Sequence, residues 1–166
     1  MRHVISILIE NEAGALSRVV GLFSQRGYNI ESLTVAPTED RTLSRCTILT
    51  LGDKEEAEQI TKQLHKLVDV LRVSDLYGEG GGFERELVLM KMPTPNRNIR
   101  DEIRSICEIF HARIIDVTQD TYTIEYAGSS DEVDNFIKTL NEVTDILETV
   151  RSGVLGILKG THYMKK

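Results

Sequence analysis

Three stretches of this chain place apolar side chains at i, i+3, i+4 and i+7: Leu16, Val19, Val20 and Phe23; Ile103, Ile106, Cys107 and Phe110; Val133, Phe136, Ile137 and Leu140. A fourth, Ala57, Ile60, Leu64 and Leu67, is a looser version of the same stripe. That spacing gathers each set on one face of a helix, so the chain must offer each helix something apolar to pack on. The runs between them supply it. HVISILIE, Tyr28 to Ala36, Leu43 to Leu51 and Val68 to Leu76 read as strands around the first two helices. Leu87 to Met92, Ile114 to Thr118, Tyr122 to Ala127 and Asp145 to Val150 do the same around the last two. Each half has the order β-α-β-β-α-β, the split βαβ arrangement. The fold class expected is therefore α+β, with two tandem ferredoxin-like modules. The first module spans 1–76 and the second 84–160, with a basic tail at 161–166. Between them YGEGGGF (77–83) carries glycine at 78, 80, 81 and 82, too much backbone entropy to order inside an element, and reads as a linker.

Local signals set the element ends. Gly27 stands where a left-handed helix stop is expected. Asp53 with Glu56, and Ser129 with Glu132, have capping-box spacing. PTEDR (37–41) reads as the turn of a hairpin. In the strand before it Ile30 differs in parity from Leu33 and Val35, which implies either a bulge or a strand covered on both faces.

A net charge of −6 argues against a nucleic-acid or anionic-membrane footprint. RNA-recognition modules share the βαββαβ order but stack bases on sheet aromatics, and LSRCTILTL has none. No apolar run approaches the ~20 residues that cross a bilayer. The N-terminus lacks the pattern of a secretory signal, so a cytoplasmic protein is expected. Cys46 and Cys107 sit at apolar positions as buried thiols, and the four histidines have no metal-ligand spacing. No nucleophile elbow, Walker loop or dinucleotide-binding glycine motif is present. These absences point to a binding module.

The candidate site is the turn that opens the first helix. Asn11 and Gly14 lie where the first helical N–H groups have no intrahelical partner, and a glycine there allows a small anion to approach. Such a turn is equally consistent with a plain helix start. Asn29 could present an amide to a ligand or serve turn chemistry after Gly27. Gly14, Ser17, Gly21 and Ser24 form a stripe of small residues off the core face; it is either a tolerated solvent face or the seat of a close neighbour, another helix or subunit. In the second half Asn98 falls near the place of Asn11, but Asp101 replaces Gly14. An anion site is therefore expected in the first half alone.

NEAGALSRVVGLFSQRGYNIESLTVAPTEDRTLSR, then QLHKLVDVLRVSDL, IIDVT and RSGVLGILKG, closely resemble the small, regulatory subunits of acetohydroxyacid (acetolactate) synthase. The likeness is densest over residues 3–76 and looser over 84–125. It implies an N-terminal ACT domain that binds the effector and a C-terminal ACT-like domain. It further implies a homodimer formed through the ACT domains, which binds valine at the interface. The matching positions are Asn11, Gly14 and Asn29, with Ala13, Ala15, Leu16 and Ile30 as neighbours and Ser17, Ala36 and Gln59 as weaker matches. The resemblance implies no active site and no cofactor on this chain. Thiamine diphosphate, Mg2+ and FAD would belong to a separate large, catalytic subunit that this chain activates and makes sensitive to valine. The alternative is a free-standing amino-acid sensor of the ACT type that regulates a different partner.

Overall fold

The computed structural model describes residues 1–78 and 80–165. Glu79, within the stretch read as a linker, and Lys166, at the end of the basic tail, lie outside the described residues. The chain divides into two compact units, Met1–Glu84 with Val154–Lys166, and Arg85–Gly153.

The first unit runs β1 (Arg2–Glu10), α1 (Ala15–Gln25), β2 (Ser32–Pro37), β3 (Leu43–Leu51), α2 (Lys54–Leu64) and β4 (Val70–Asp75). Its antiparallel sheet has the order β2-β3-β1-β4, the split βαβ topology. Central strand β1 is buried from His3 to Ile9, so both its faces are covered. Ile5, Ile7 and Ile9 meet Ala15, Val19 and Phe23 of α1 and Ile60 and Leu64 of α2. Of the expected α1 stripe Val19 and Phe23 are buried and Leu16 is partly buried against the core, while Val20 lies off it and Ala15 takes its place; in α2 Ala57, Ile60 and Leu64 are buried as expected. Asp53 caps α2 in a full capping box with Glu56.

The other face of the sheet is covered by the end of the chain. Val154 packs with Val4 and Leu76, beside Leu49 and Leu158. Thr34 Oγ1 donates to the Val154 carbonyl at 2.8 Å, and the Val154 N–H donates to Ser32 Oγ at 3.3 Å. Arg45 donates to Ser6 Oγ at 2.9 Å and to the Met164 carbonyl at 3.1 Å. The second module is expected over 84–160 with a basic tail at 161–166, whereas the structure groups the chain from Val154 onward with the first unit. The apolar residues of that face, Val4, Leu49 and Leu76, need a cover, and Val154 and Leu158 provide it.

Two strand readings change for related reasons. β2 begins at Ser32, so Ile30 precedes the strand and its parity carries no register information. From Ser32 against Leu49 to Pro37 against Ser44 the pairing is unbroken, with no bulge. Leu33 packs on the helix-side core while Ser32 and Thr34 hold Val154, so the strand is covered on both faces. The glycine stretch is shorter as a linker than it reads, because β5 (Gly82–Pro93) begins within it. Gly80 and Gly81 take positive φ, whereas Gly82 is packed so tightly that a Cβ would stand 3.0 Å from Leu76 Cβ and the Ile157 carbonyl. β9 (Leu155–Leu158) pairs with β5.

The second unit continues α3 (Arg97–Phe110), β6 (Arg113–Val117), β7 (Thr121–Gly128), α4 (Ser130–Val143) and β8 (Glu148–Arg151), with sheet order β6-β7-β5-β8. Val88, Met90 and Met92 of β5 meet Ile103, Cys107, Val133, Phe136 and Leu140. Ser129 caps α4 with Glu132 in a capping box. Arg151 makes two hydrogen bonds to the buried Glu86 carboxylate, at 2.8 and 2.7 Å, and a third to Asp134. These bonds raise the Arg151 pKa and fix β8 on β5. Cys46 and Cys107 are both buried, which pushes their thiols up to about 12 and about 11.

Candidate functional site

The turn from β1 into α1 is pinned at every point but its own donors. The Glu10 N–H donates to the Asp69 carbonyl, and the Asn11 N–H to the Thr42 carbonyl. Asn11 Nδ2 donates to the Arg41 carbonyl at 2.9 Å, which fixes the amide. Gly14 is the N-cap in the left-handed region, φ 86°, and no side chain caps the helix. The N–H groups of Ala13, Gly14, Leu16 and Ser17 have no partner among the described residues. Free donors at the positive end of a helix suit a carboxylate.

Behind the turn Arg18 Nε donates to Asp69 Oδ2 at 2.5 Å. That bond holds the Asp69 carboxyl below its usual range. Asp69 thus ties both strand end and helix, one through its carbonyl and one through its carboxylate. A Cβ on Gly14 would stand 3.0 Å from the Arg18 guanidinium. Glycine is favoured at this position by its positive φ, and a side chain there would also displace the end of the Arg18 guanidinium by a few tenths of an ångström.

Beside the turn lies a cavity of about 210 Å³ lined by Ile9, Glu10, Asn11, Glu12, Ala15, Leu16, Val35, Ala36, Pro37 and Ser44. It offers apolar walls from Ile9, Leu16 and Val35, and two carboxylates, Glu10 and Glu12, for a ligand's ammonium. Enclosed ligand sites usually measure roughly 300–1,000 Å³. The smaller volume and the exposed β2 wall of Val35, Ala36 and Pro37 describe part of a site.

Of the residues expected from the sequence, Asn11, Ala15, Leu16 and Ala36 line this cavity, and Ala13 and Gly14 form the turn. The others lie elsewhere. The Asn29 carbonyl accepts from Thr50 Oγ1 at 2.7 Å, and its amide donates to Glu31. Asn11 sits at the Leu43 end of β3 and Asn29 at the Thr50 end, roughly 23 Å away at strand rise. Ile30 packs on the core. Gln59 is exposed on α2. Ser17 faces a separate groove of about 520 Å³ between α1 and α2, with Gly14, Gly21, Arg26, Gln63 and Lys66. Among the described residues nothing approaches the middle of the small-residue stripe closely, since a Cβ on Gly21 would meet nothing within 4 Å. Val35, Pro37, Glu10, Glu12 and Ser44 were missed. Glu10 and Glu12 flank Asn11 in the sequence itself, whereas only strand pairing, which sets Ser44 opposite Ile9 and Pro37, brings Val35, Pro37 and Ser44 to the turn.

In the second unit the corresponding helix opens differently. Asn96 caps α3 with its own side chain, accepting from the Ile99 N–H at 3.0 Å. Asn96, rather than Asn98, holds the cap position, and its amide oxygen takes up a donor that Gly14 leaves open.

Residues 5–72, which span the split βαβ unit whose first helix opens on Gly14, match the family model of the AHAS small subunit-like ACT domain, so the first unit is an ACT-type domain. Residues 85–160 match the model described as small subunit of acetolactate synthase. The chain is 57% identical over 165 residues to the acetolactate synthase isozyme 3 small subunit of Salmonella typhimurium, covering 99% of this chain and 100% of that one. It is 43% identical over 160 residues to the probable acetolactate synthase small subunit of Archaeoglobus fulgidus, covering 96% and 98%. The crystal structure of the acetolactate synthase small subunit from Thermotoga maritima superposes with a TM-score of 0.87 at 34% identity, covering 98% of this chain and 99% of that chain. The chain belongs to the acetolactate synthase small-subunit family.

Proposed function

We propose that this chain is a regulatory subunit without an active site, which activates the large, catalytic subunit of acetolactate synthase and confers feedback inhibition by valine. Full-length likeness to small subunits of that synthase carries the reading. Among the described residues no cluster of His, Cys, Asp or Glu could hold a metal ion. Thiamine diphosphate, Mg2+ and FAD are assigned to the catalytic partner.

The effector site is shared between two chains. Among the described residues β2 pairs with β3 alone in the sheet order, so its other edge is open to a second copy. Two β2 strands joined antiparallel about a two-fold axis bring the partner's Asn29 level with the Pro37–Arg41 end of this chain, where Asn11 sits. The valine carboxylate takes the free N–H groups of the turn, and Glu10 and Glu12 attract its ammonium. The isopropyl group rests on Ile9, Leu16 and Val35. The partner's Asn29 amide closes the site. A ligand held across two chains couples occupancy to interface geometry, and inhibition follows only insofar as valine prefers the inhibited assembly.

The test is reconstitution. The chain added to an acetolactate synthase catalytic subunit raises acetolactate formation, and valine lowers it again. Absence of stimulation would sink the reading and favour a free-standing sensor.

A further inference from the structure

The groove between α1 and α2 meets the turn at Gly14 and then runs away from it along α1 to Arg26, a helical rise of about 18 Å. Its volume is about 520 Å³, and Gln63, Lys66 and Leu67 border it from the end of α2. The α1 wall is low, because Gly14, Ser17 and Gly21 stand there at i, i+3 and i+7. Gly21 lies inside the helix without a positive φ, and a Cβ on it would meet nothing within 4 Å. Neither conformation nor space within the chain calls for glycine there, and glycine weakens a helix interior relative to alanine. What Gly21 provides is a flat place where another backbone can seat.

The charges along the groove say what kind of backbone. Arg18, Arg26 and Lys66 line it, and no carboxylate does. Arg18 is engaged by Asp69, and Glu12 acts on it from the Gly14 end, so it adds no surplus. Arg26 and Lys66 form no ion pair among the described residues. They leave the groove positive on a chain whose net charge is −6. Its floor is apolar, with Leu22 and Leu67 only partly buried against the core, and Val68, next in the chain, is 84% exposed.

We propose that this groove is where the chain docks on the catalytic subunit, taking an acidic helix whose backbone rides on Gly21 and whose carboxylates pair with Arg26 and Lys66. The inference rests on the proposed function and names the surface through which it acts. A second copy of this chain fits the groove poorly, because a two-fold contact of the groove with itself would set cations against cations. A small anion would engage one cation and leave the apolar floor uncovered. A helix of about three turns matches the length, the floor and both charges.

The test is activation of an acetolactate synthase catalytic subunit, measured against the concentration of this chain, together with unfolding of the chain alone. Gly21→Leu should keep or raise the denaturant midpoint of the free chain, since the space is open and leucine favours helix. The same variant should raise the concentration giving half-maximal activation about tenfold or more, as a side chain does in the middle of a packed interface. Arg26→Glu and Lys66→Glu should each raise it about threefold or more, an effect that narrows at high salt. If the parent chain gives no stimulation, the proposed function falls and this occupant with it. If the parent stimulates and Gly21→Leu does so at the same concentration, the docking surface alone is overturned. If Gly21→Leu instead loosens the free homodimer at sedimentation equilibrium, a second copy occupies the groove and the proposal is overturned. Should Gly21→Leu fail to fold, the two charge variants decide, and parent-like activation by both overturns it.

Discussion

Gly14 carries two constraints at once, and they make different demands on a substitute. Its φ of 86° penalises any L side chain, and its Cβ direction runs into the Arg18 guanidinium at 3.0 Å. An aspartate there would place a carboxylate in the space reserved for the ligand's own and would compete with Asp69 for Arg18. Gly14→Asp is expected to keep activation of the catalytic subunit but to abolish inhibition by valine; full inhibition by that variant would put the effector elsewhere. The Arg18–Asp69 pair also predicts a pH response. The Arg18 hydrogen bond holds the folded-state pKa of Asp69 below the ordinary carboxylate range, so its stabilising effect is complete above about pH 4 and is lost as pH falls through the folded value. Asp69→Asn should destabilise the chain at neutral pH and flatten the acid limb of its stability curve. Chemical unfolding at about pH 7 and about pH 3 measures both; an unchanged acid limb would show that the pair is dispensable.

At the scale of elements, helices were the most legible part of the chain. Apart from Val20, which lies off the core, the apolar stripes face the cores, and both capping boxes form, because helix periodicity and caps are local properties. Strand ends were less legible. Nothing local separates Ile30 from Ser32, and only pairing with Leu49 starts β2 where it starts. The candidate site was legible where it is a continuous turn, Asn11 to Leu16, and illegible where long-range register builds it, at Val35, Pro37 and Ser44. Asn29 is the informative case, since one chain holds it at the far end of β3 from Asn11. A shared site has a specific signature. Asn11→Ala and Asn29→Ala homodimers should each bind valine at least about tenfold more weakly, a loss in keeping with one charge-assisted hydrogen bond. Mixing the two variants should restore one intact site per heterodimer, because both substitutions then fall in the other. Calorimetry on the mixed sample that shows no recovered high-affinity binding would place both residues in separate, single-chain sites.

At the scale of the molecule, the chain enters the second unit after Glu84 and returns at Val154 to finish the first. A reading that divides the sequence in tandem misses this, since VLGILKG has no periodicity that says which sheet it covers. The return has energetic content. Val154 is 1% exposed against Val4 and Leu76, and its backbone is hydrogen-bonded on both sides to β2 side chains. Truncating Val154 to alanine removes two methyl groups from a filled space, a loss of about 2 kcal/mol from transfer and cavity terms together. Val154→Ala should therefore lower the denaturant midpoint of the first unit, whereas a truncation of equal size at exposed Val68 should leave it nearly unchanged. The functional consequence follows from β2. Ser32 and Thr34 hold the returning chain while Val35 and Ala36 wall the cavity beside the turn. Loosening one set frees the other, so Val154→Ala should also weaken valine binding in a chain that remains folded. Calorimetry on Val154→Ala with unaltered valine affinity, alongside a measured loss of stability, would show that the returning segment supports the sheet without tuning the site.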